Sequence, residues 1–152
     1  MANVLLVDDD PENLWPLALA MESRGHRVTS VADGRAALDL MRREPVQCLI
    51  TDYEMPGIDG VALCQMVRAS PAFAGLPIVL LSAAPEPDVG PRCWSLFLRK
   101  PVPVGELIDA VDAYVAARLA SPPLPCAIHH AAGRFQHLAP ARWAPVNMAC
   151  GP

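Results

Sequence analysis

The chain has 152 residues, 53% of them hydrophobic, and a net charge of −4. That is apolar material enough for one full core. The acidic balance leaves no basic footprint for nucleic acid, no apolar run reaches the length of a membrane span, and no signal peptide opens the chain.

Five cysteines (Cys48, Cys64, Cys93, Cys126 and Cys150) show no CxxC spacing. Cys48 and Cys64 fall on apolar faces and read as reduced core thiols of a cytoplasmic protein. Asn3–Val7 carries an unbroken apolar run, the pattern of a parallel strand covered on both faces. It ends in three adjacent acids, Asp8, Asp9 and Asp10. Asp10, before Pro11, reads as the cap of a helix to about Arg24. Asp8 and Asp9 are left at the strand end, where a hard divalent cation would relieve their repulsion. Pro16 predicts a bend or a late start in that helix. His26, in the turn that closes it, reads as a surface residue.

Arg27–Ala32 alternates and is rich in β-branched residues, so it reads as a second strand. Asp33-Gly34 turns the chain, and Ala36–Met41 marks a short helix ending before Pro45. A third strand follows through Cys48, Leu49 and Ile50 to Asp52, with a turn built from Met55-Pro56-Gly57 and Asp59-Gly60. Val61–Val67 gives a helical apolar face that stops before Pro71. Leu76–Leu81 is another continuous apolar strand, ending at Ser82. Pro85, Pro87, Gly90 and Pro91 then exclude a regular helix over 85–91. Trp94–Leu98 reads as a fifth strand, followed by Arg99-Lys100-Pro101. Val104, Leu107, Ile108, Val111, Tyr114 and Val115 recur at helical spacing to about Leu119. Strands alternating with helices imply an α/β fold with a parallel sheet. Residues 120–152 hold six of the 17 prolines and no apolar periodicity, and read as a disordered tail rather than a zinc site, despite Cys126, His129, His130, His137 and Cys150.

Four pieces in this order carry a resemblance: Val4-Leu-Leu-Val-Asp-Asp-Asp10, Leu49-Ile-Thr-Asp-Tyr-Glu-Met-Pro-Gly-Ile-Asp-Gly60, Pro77-Ile-Val-Leu-Leu-Ser-Ala-Ala84 and Leu98-Arg-Lys-Pro101. Over roughly residues 2–118 the sequence resembles the CheY-like receiver domain of two-component response regulators, which sets the domain at 1–119 and the tail at 120–152. The resemblance implies a flavodoxin-like, doubly wound five-stranded parallel sheet in the order 2-1-3-4-5, here with a short or irregular fourth helix. It implies a phosphoacceptor, Asp52, and a Mg²⁺ held by Asp9, Asp52 and the backbone carbonyl of Glu54, with Asp8 acting largely through water. Ser82 and Lys100 would grip the phosphoryl oxygens. Ser82 and Phe97 match the family's switch positions, though Phe97 reads equally as a packed core aromatic. Lys100-Pro101 matches a cis peptide bond. The partners implied are a sensor histidine kinase or a phosphotransfer protein, and a downstream protein.

The expected role is therefore a single-domain phosphoacceptor with no enzymatic activity beyond its own phosphorylation and dephosphorylation. Ser82 and Lys100 lie 18 positions apart, somewhat shorter than in typical receivers. The prolines after Ser82 favour a second reading as a receiver-fold interaction module that does not switch, and the complete set of acids, Ser82 and Lys100 opposes it. A third reading, an aspartate-nucleophile phosphatase, would use Asp8 and Asp10, but the threonine expected next is absent.

Overall fold

The computed structural model describes residues 1–120. The tail, with the disorder expected there and its cysteines and histidines, lies outside the described residues. Five strands form one sheet: β1 (Asn3–Val7), β2 (Arg27–Val31), β3 (Cys48–Asp52), β4 (Ile78–Ser82) and β5 (Leu96–Arg99). All pairings are parallel, in the order β2-β1-β3-β4-β5. Four helices cover it: α1 (Pro11–Glu22), α2 (Gly34–Met41), α3 (Gly60–Ala69) and α4 (Val104–Ala120). This is the expected flavodoxin-like α/β arrangement.

Strand alternation divides the core in two. Leu5, Val7, Leu49 and Leu80 point into one half with Ala37 and Met41 of α2 and Leu63, Cys64 and Val67 of α3. Val4, Leu6, Ile50 and Val79 point into the other with Leu17 and Met21 of α1 and Leu107, Ile108 and Val111 of α4. Strands β3 and β4 are buried along their whole length, which is why they read as continuous apolar runs. The chain leaves β1 toward β2 and then returns past it to β3. The crevice outside the carboxyl ends of β1 and β3 is thus the topological switch point, where ligands of such sheets bind.

Between β4 and β5 no helix forms, as the prolines require. The segment is pinned instead by side chains. Trp94 is buried in the α2/α3 half-core, and its Nε1 donates to Glu86 Oε1 at 2.6 Å. Arg92 pairs with the same oxygen at 3.2 Å and lies 5.9 Å from the Trp94 ring centroid. Arg68 of α3 donates to the Cys93 carbonyl of this segment at 2.8 Å and, before β4, to those of Phe73, Ala74 and Leu76 at 2.7–3.2 Å.

Several expectations change, among them the start of β4, which lies at Ile78 rather than Leu76. β5 begins at Leu96, not Trp94, because Trp94 turns inward as a core plug before pairing starts. Val104 is exposed, so the apolar face of α4 begins at Leu107. Of the two effects expected of Pro16, the late start does not occur: helix α1 begins at Pro11, since Asp10 Oδ1 accepts the Glu12 amide at 2.9 Å and fixes the start. The bond lost at Pro16 would have ended on the Glu12 carbonyl, and Glu12 is solvent-exposed. His26 is buried rather than on the surface, with Nε2 2.8 Å from Asp112 Oδ1 on α4. Arg24 lies 3.4 Å from both Asp109 and Asp112, so the turn after α1 is tied to α4.

Candidate functional site

The sheet register brings four strand ends together. Val7 pairs with Thr51, which places Asp8 beside Asp52. Asp52 pairs with Leu81, so Ser82 follows one residue further on. The Lys100 amide donates to the Ser82 carbonyl at 2.8 Å, continuing the β4–β5 ladder past Arg99. The Lys100–Pro101 peptide bond is cis. Carboxylate oxygens of Asp8, Asp9 and Asp52 lie within 4.8 Å of one another. Lys100 Nζ lies 2.7 Å from Asp52 Oδ1 and donates to Asp8 Oδ2 at 3.2 Å.

Burial sets the electrostatics. Asp8 and Asp52 are 4% and 3% exposed, whereas Asp9 is open to solvent. Burial pushes the Asp52 carboxyl above the usual carboxylate range, outweighing the hydrogen bonding and charge of Lys100, while the neighbouring Asp8 and Glu54 charges push the same way. Burial opposes the charged form of Lys100 too, but Asp52 and Asp8 outweigh it and raise the ammonium pKa. Among the described residues, Lys100 Nζ at 2.7 Å is the one charged partner that Asp52 Oδ1 has. Three carboxylates facing one ammonium leave negative charge in excess, a donor set that suits a hard divalent cation.

Ser82 is fully buried, and its hydroxyl donates to Glu54 Oε1 at 2.7 Å. The Ala84 amide reaches the same oxygen at 3.3 Å and Ser82 Oγ at 3.0 Å. Slight burial works against the Glu54 carboxylate, but these donors prevail and lower its pKa. Sequence reasoning assigned Glu54 its backbone carbonyl; the grip of its side chain on Ser82 joins residues 28 apart, which no local pattern announces. Phe97 does not join the acids. It pairs in register with Leu80 and packs on the α2/α3 half-core. Asp10 also stays out, its carboxylate committed to capping α1, which removes the acid pair that the phosphatase reading needs.

Gly60 opens α3 against the strand end. A Cβ there would collide with the Asp52 carbonyl and come within 2.8 Å of Leu80 Cδ1 and 2.9 Å of Tyr53 Cα. The Asp59-Gly60 pair, legible in sequence as a turn, thus has a second role as a close approach. Asp59 caps α3 by accepting the Ala62 amide at 2.8 Å.

Among the described residues no helix is long and apolar enough to cross a membrane. The family model described as the response regulator receiver domain matches residues 4–112. An uncharacterized 14.6 kDa protein in the sodA1 3′ region of Leptolyngbya boryana is 38% identical over 119 residues, covering 76% of this chain and 91% of that protein. The transcriptional regulatory protein AfsQ1 of Streptomyces coelicolor is 36% identical over 83 residues, 55% of this chain but only 36% of its own length. Among solved structures, the receiver domain of sensor histidine kinase PA1611 from Pseudomonas aeruginosa PAO1 has a magnesium ion coordinated in its active site cleft. It aligns with a TM-score of 0.68 at 28% identity, over 76% of this chain and 98% of that one. With the family model spanning most of the chain and the sheet in the expected order, the chain belongs to the response regulator receiver domains of two-component systems, CheY-like in fold.

Proposed function

We propose that Asp52 accepts a phosphoryl group from the phosphohistidine of a sensor histidine kinase or phosphotransfer protein, and that the resulting charge alters how the domain binds a downstream protein. The reading makes the chain a cytoplasmic member of a two-component system or phosphorelay, with residues 1–119 as its receiver domain. The observation that carries it is the meeting of Asp52, Asp8, Asp9 and Lys100 at the switch point of the sheet. In the transfer, the phosphorus–nitrogen bond of the donor breaks and a bond to an Asp52 oxygen forms. Carboxylate and phosphate repel, so catalysis here is mainly positioning and charge screening. Lys100 supplies a point-like positive charge already held at Asp52. Ser82 donates its hydroxyl to a phosphoryl oxygen once it leaves Glu54. A bound Mg²⁺, held by Asp9, Asp52 and the Glu54 carbonyl with Asp8 acting through water, would neutralise charge on the transferring oxygens.

Radiolabelled phosphodonor, acetyl phosphate or a cognate kinase, tests this directly. Labelling is expected in Mg²⁺ and not in chelator, and Asp52→Asn should abolish it. Labelling that survives that substitution refutes the assignment.

A second reading, a receiver-fold interaction module that does not switch, is favoured by one observation: the family's fourth helix is replaced by a segment held by Trp94, Glu86 and Arg68. It prevails if phosphorylated protein shows unchanged NMR resonances over α4 and residues 85–94.

A further inference from the structure

Away from the acid cluster, α2 and α3 bound an open groove of about 420 Å³ that phosphoryl chemistry does not use. Its surface is apolar where Leu38 of α2, Ile58 of the β3–α3 loop, Met66 of α3 and Phe73 meet. Met66 is 47% exposed, an unbranched thioether of the kind that adapts to a partner surface. Arg35 and Arg42 stand on one side of the groove. They are seven positions apart on α2, so they share a face and lie roughly 10 Å apart along the helix.

The charge on this rim is only partly compensated. Among the described residues Arg35 has no ion-pair partner, and Arg42 has only Asp39 on its own helix, at 3.1 Å and exposed, a pairing of little strength. No acidic residue lines the groove. A cationic, apolar cleft on a chain of net charge −4 is complementary to an acidic, apolar occupant. Residues 121–152 contain Arg134 and Arg142 and no acid, so the chain's own tail brings the wrong sign. A second copy placed groove to groove would bring its own arginines.

We propose that the α2–α3 groove docks an acidic amphipathic helix of a partner protein. Two carboxylates seven residues apart would reach Arg35 and Arg42, and apolar residues three and four positions after the first acid would fill the cleft. Ile58 makes one wall and packs on Gly34, where a Cβ would come within 2.9 Å of Ile58 Cγ2. The docking surface therefore includes the loop that leaves Asp52, but binding needs no phosphoryl group.

The test is a titration of unphosphorylated, ¹⁵N-labelled full chain with a synthetic helical peptide of about twelve residues. It carries glutamates at positions i and i+7 and leucines at i+3 and i+4; a second peptide has lysines for the glutamates. The glutamate peptide should shift resonances of α2, α3 and Phe73, and the lysine peptide should not. Reversing both charges (R35E with R42E) should weaken the glutamate peptide by on the order of tenfold or more and favour the lysine peptide. Both sites are exposed, and circular dichroism checks that the variant folds. The proposal is overturned by shifts that map elsewhere, by undiminished glutamate-peptide binding in the reversed variant, or by no binding at millimolar peptide. It is equally overturned if deleting residues 121–152, or simple dilution, moves the groove resonances without peptide, since the occupant is then the tail or a second copy.

Discussion

Asp52 sits 3% exposed at the end of β3, and its carboxyl pKa is raised because burial exceeds the pull of Lys100. A carboxyl whose folded pKa lies above its unfolded value contributes stability while protonated. That contribution is lost as pH rises through the folded pKa, and at neutral pH the ionised group costs stability. Asp52→Asn cannot ionise, and Lys100 keeps Asp8 at 3.2 Å. Thermal melts at pH 7 in chelator should therefore show the variant a few degrees more stable, with the gap narrowing in Mg²⁺. A lower melting temperature in chelator would show that the carboxylate is not strained there. Glu54 tells the complementary story. Its Oε1 holds the Ser82 hydroxyl at 2.7 Å, so Ser82 must change acceptor to serve a phosphoryl oxygen. Glu54→Ala removes both the competitor and a negative charge, and labelling of Asp52 by acetyl phosphate should quicken severalfold. Unchanged kinetics would mean that releasing Ser82 is not limiting.

At the scale of elements, the segment joining β4 to β5 departs most from the family. Arg68 ties it to the α3–β4 connection, donating to the Cys93 carbonyl on one side and to the Phe73, Ala74 and Leu76 carbonyls on the other. Hydrogen bonds from a charged donor to carbonyls with few alternatives are the stronger sort. Arg68→Ala should cost about 2–4 kcal/mol in urea denaturation and speed amide exchange around both Phe73–Leu76 and Cys93. A loss below about 0.5 kcal/mol would assign the segment's order to Trp94 alone. The strands themselves were legible because burial on both faces leaves runs of apolar residues. The acids at their ends were legible because each strand stops where its polar residue begins. What escaped were contacts between distant positions: His26 with Asp112, Arg68 with Cys93, Glu54 with Ser82. Trp94 escaped for another reason, since an aromatic before an apolar run looks like a strand whether it pairs or plugs.

Across the described residues the sheet divides the core into two halves, and a free thiol sits in each. Cys48 is buried with Val4, Ile50 and Val79, and burial pushes its pKa from 9.0 to about 12. Cys64, in the other half, is pushed up as well by burial and by Cys93. Thiols held protonated in the folded state stabilise it fully below about pH 9, and the contribution fades as pH rises from there toward 12. Denaturant midpoints should thus decline above pH 9, less steeply in Cys48→Ala, which has no thiol to ionise. Equal declines in the two proteins would place the alkaline weakness elsewhere.

Gly60 carries no functional group, yet the space beside it is what lets a helix rest directly on the backbone of Asp52 and Tyr53. One added methyl would lever that helix outward and swing the acid off its aim. In a survey of inherited or engineered variants, position 60 should therefore cluster with the acids rather than with the ordinary turn glycines, silenced by a carbon atom instead of a missing charge.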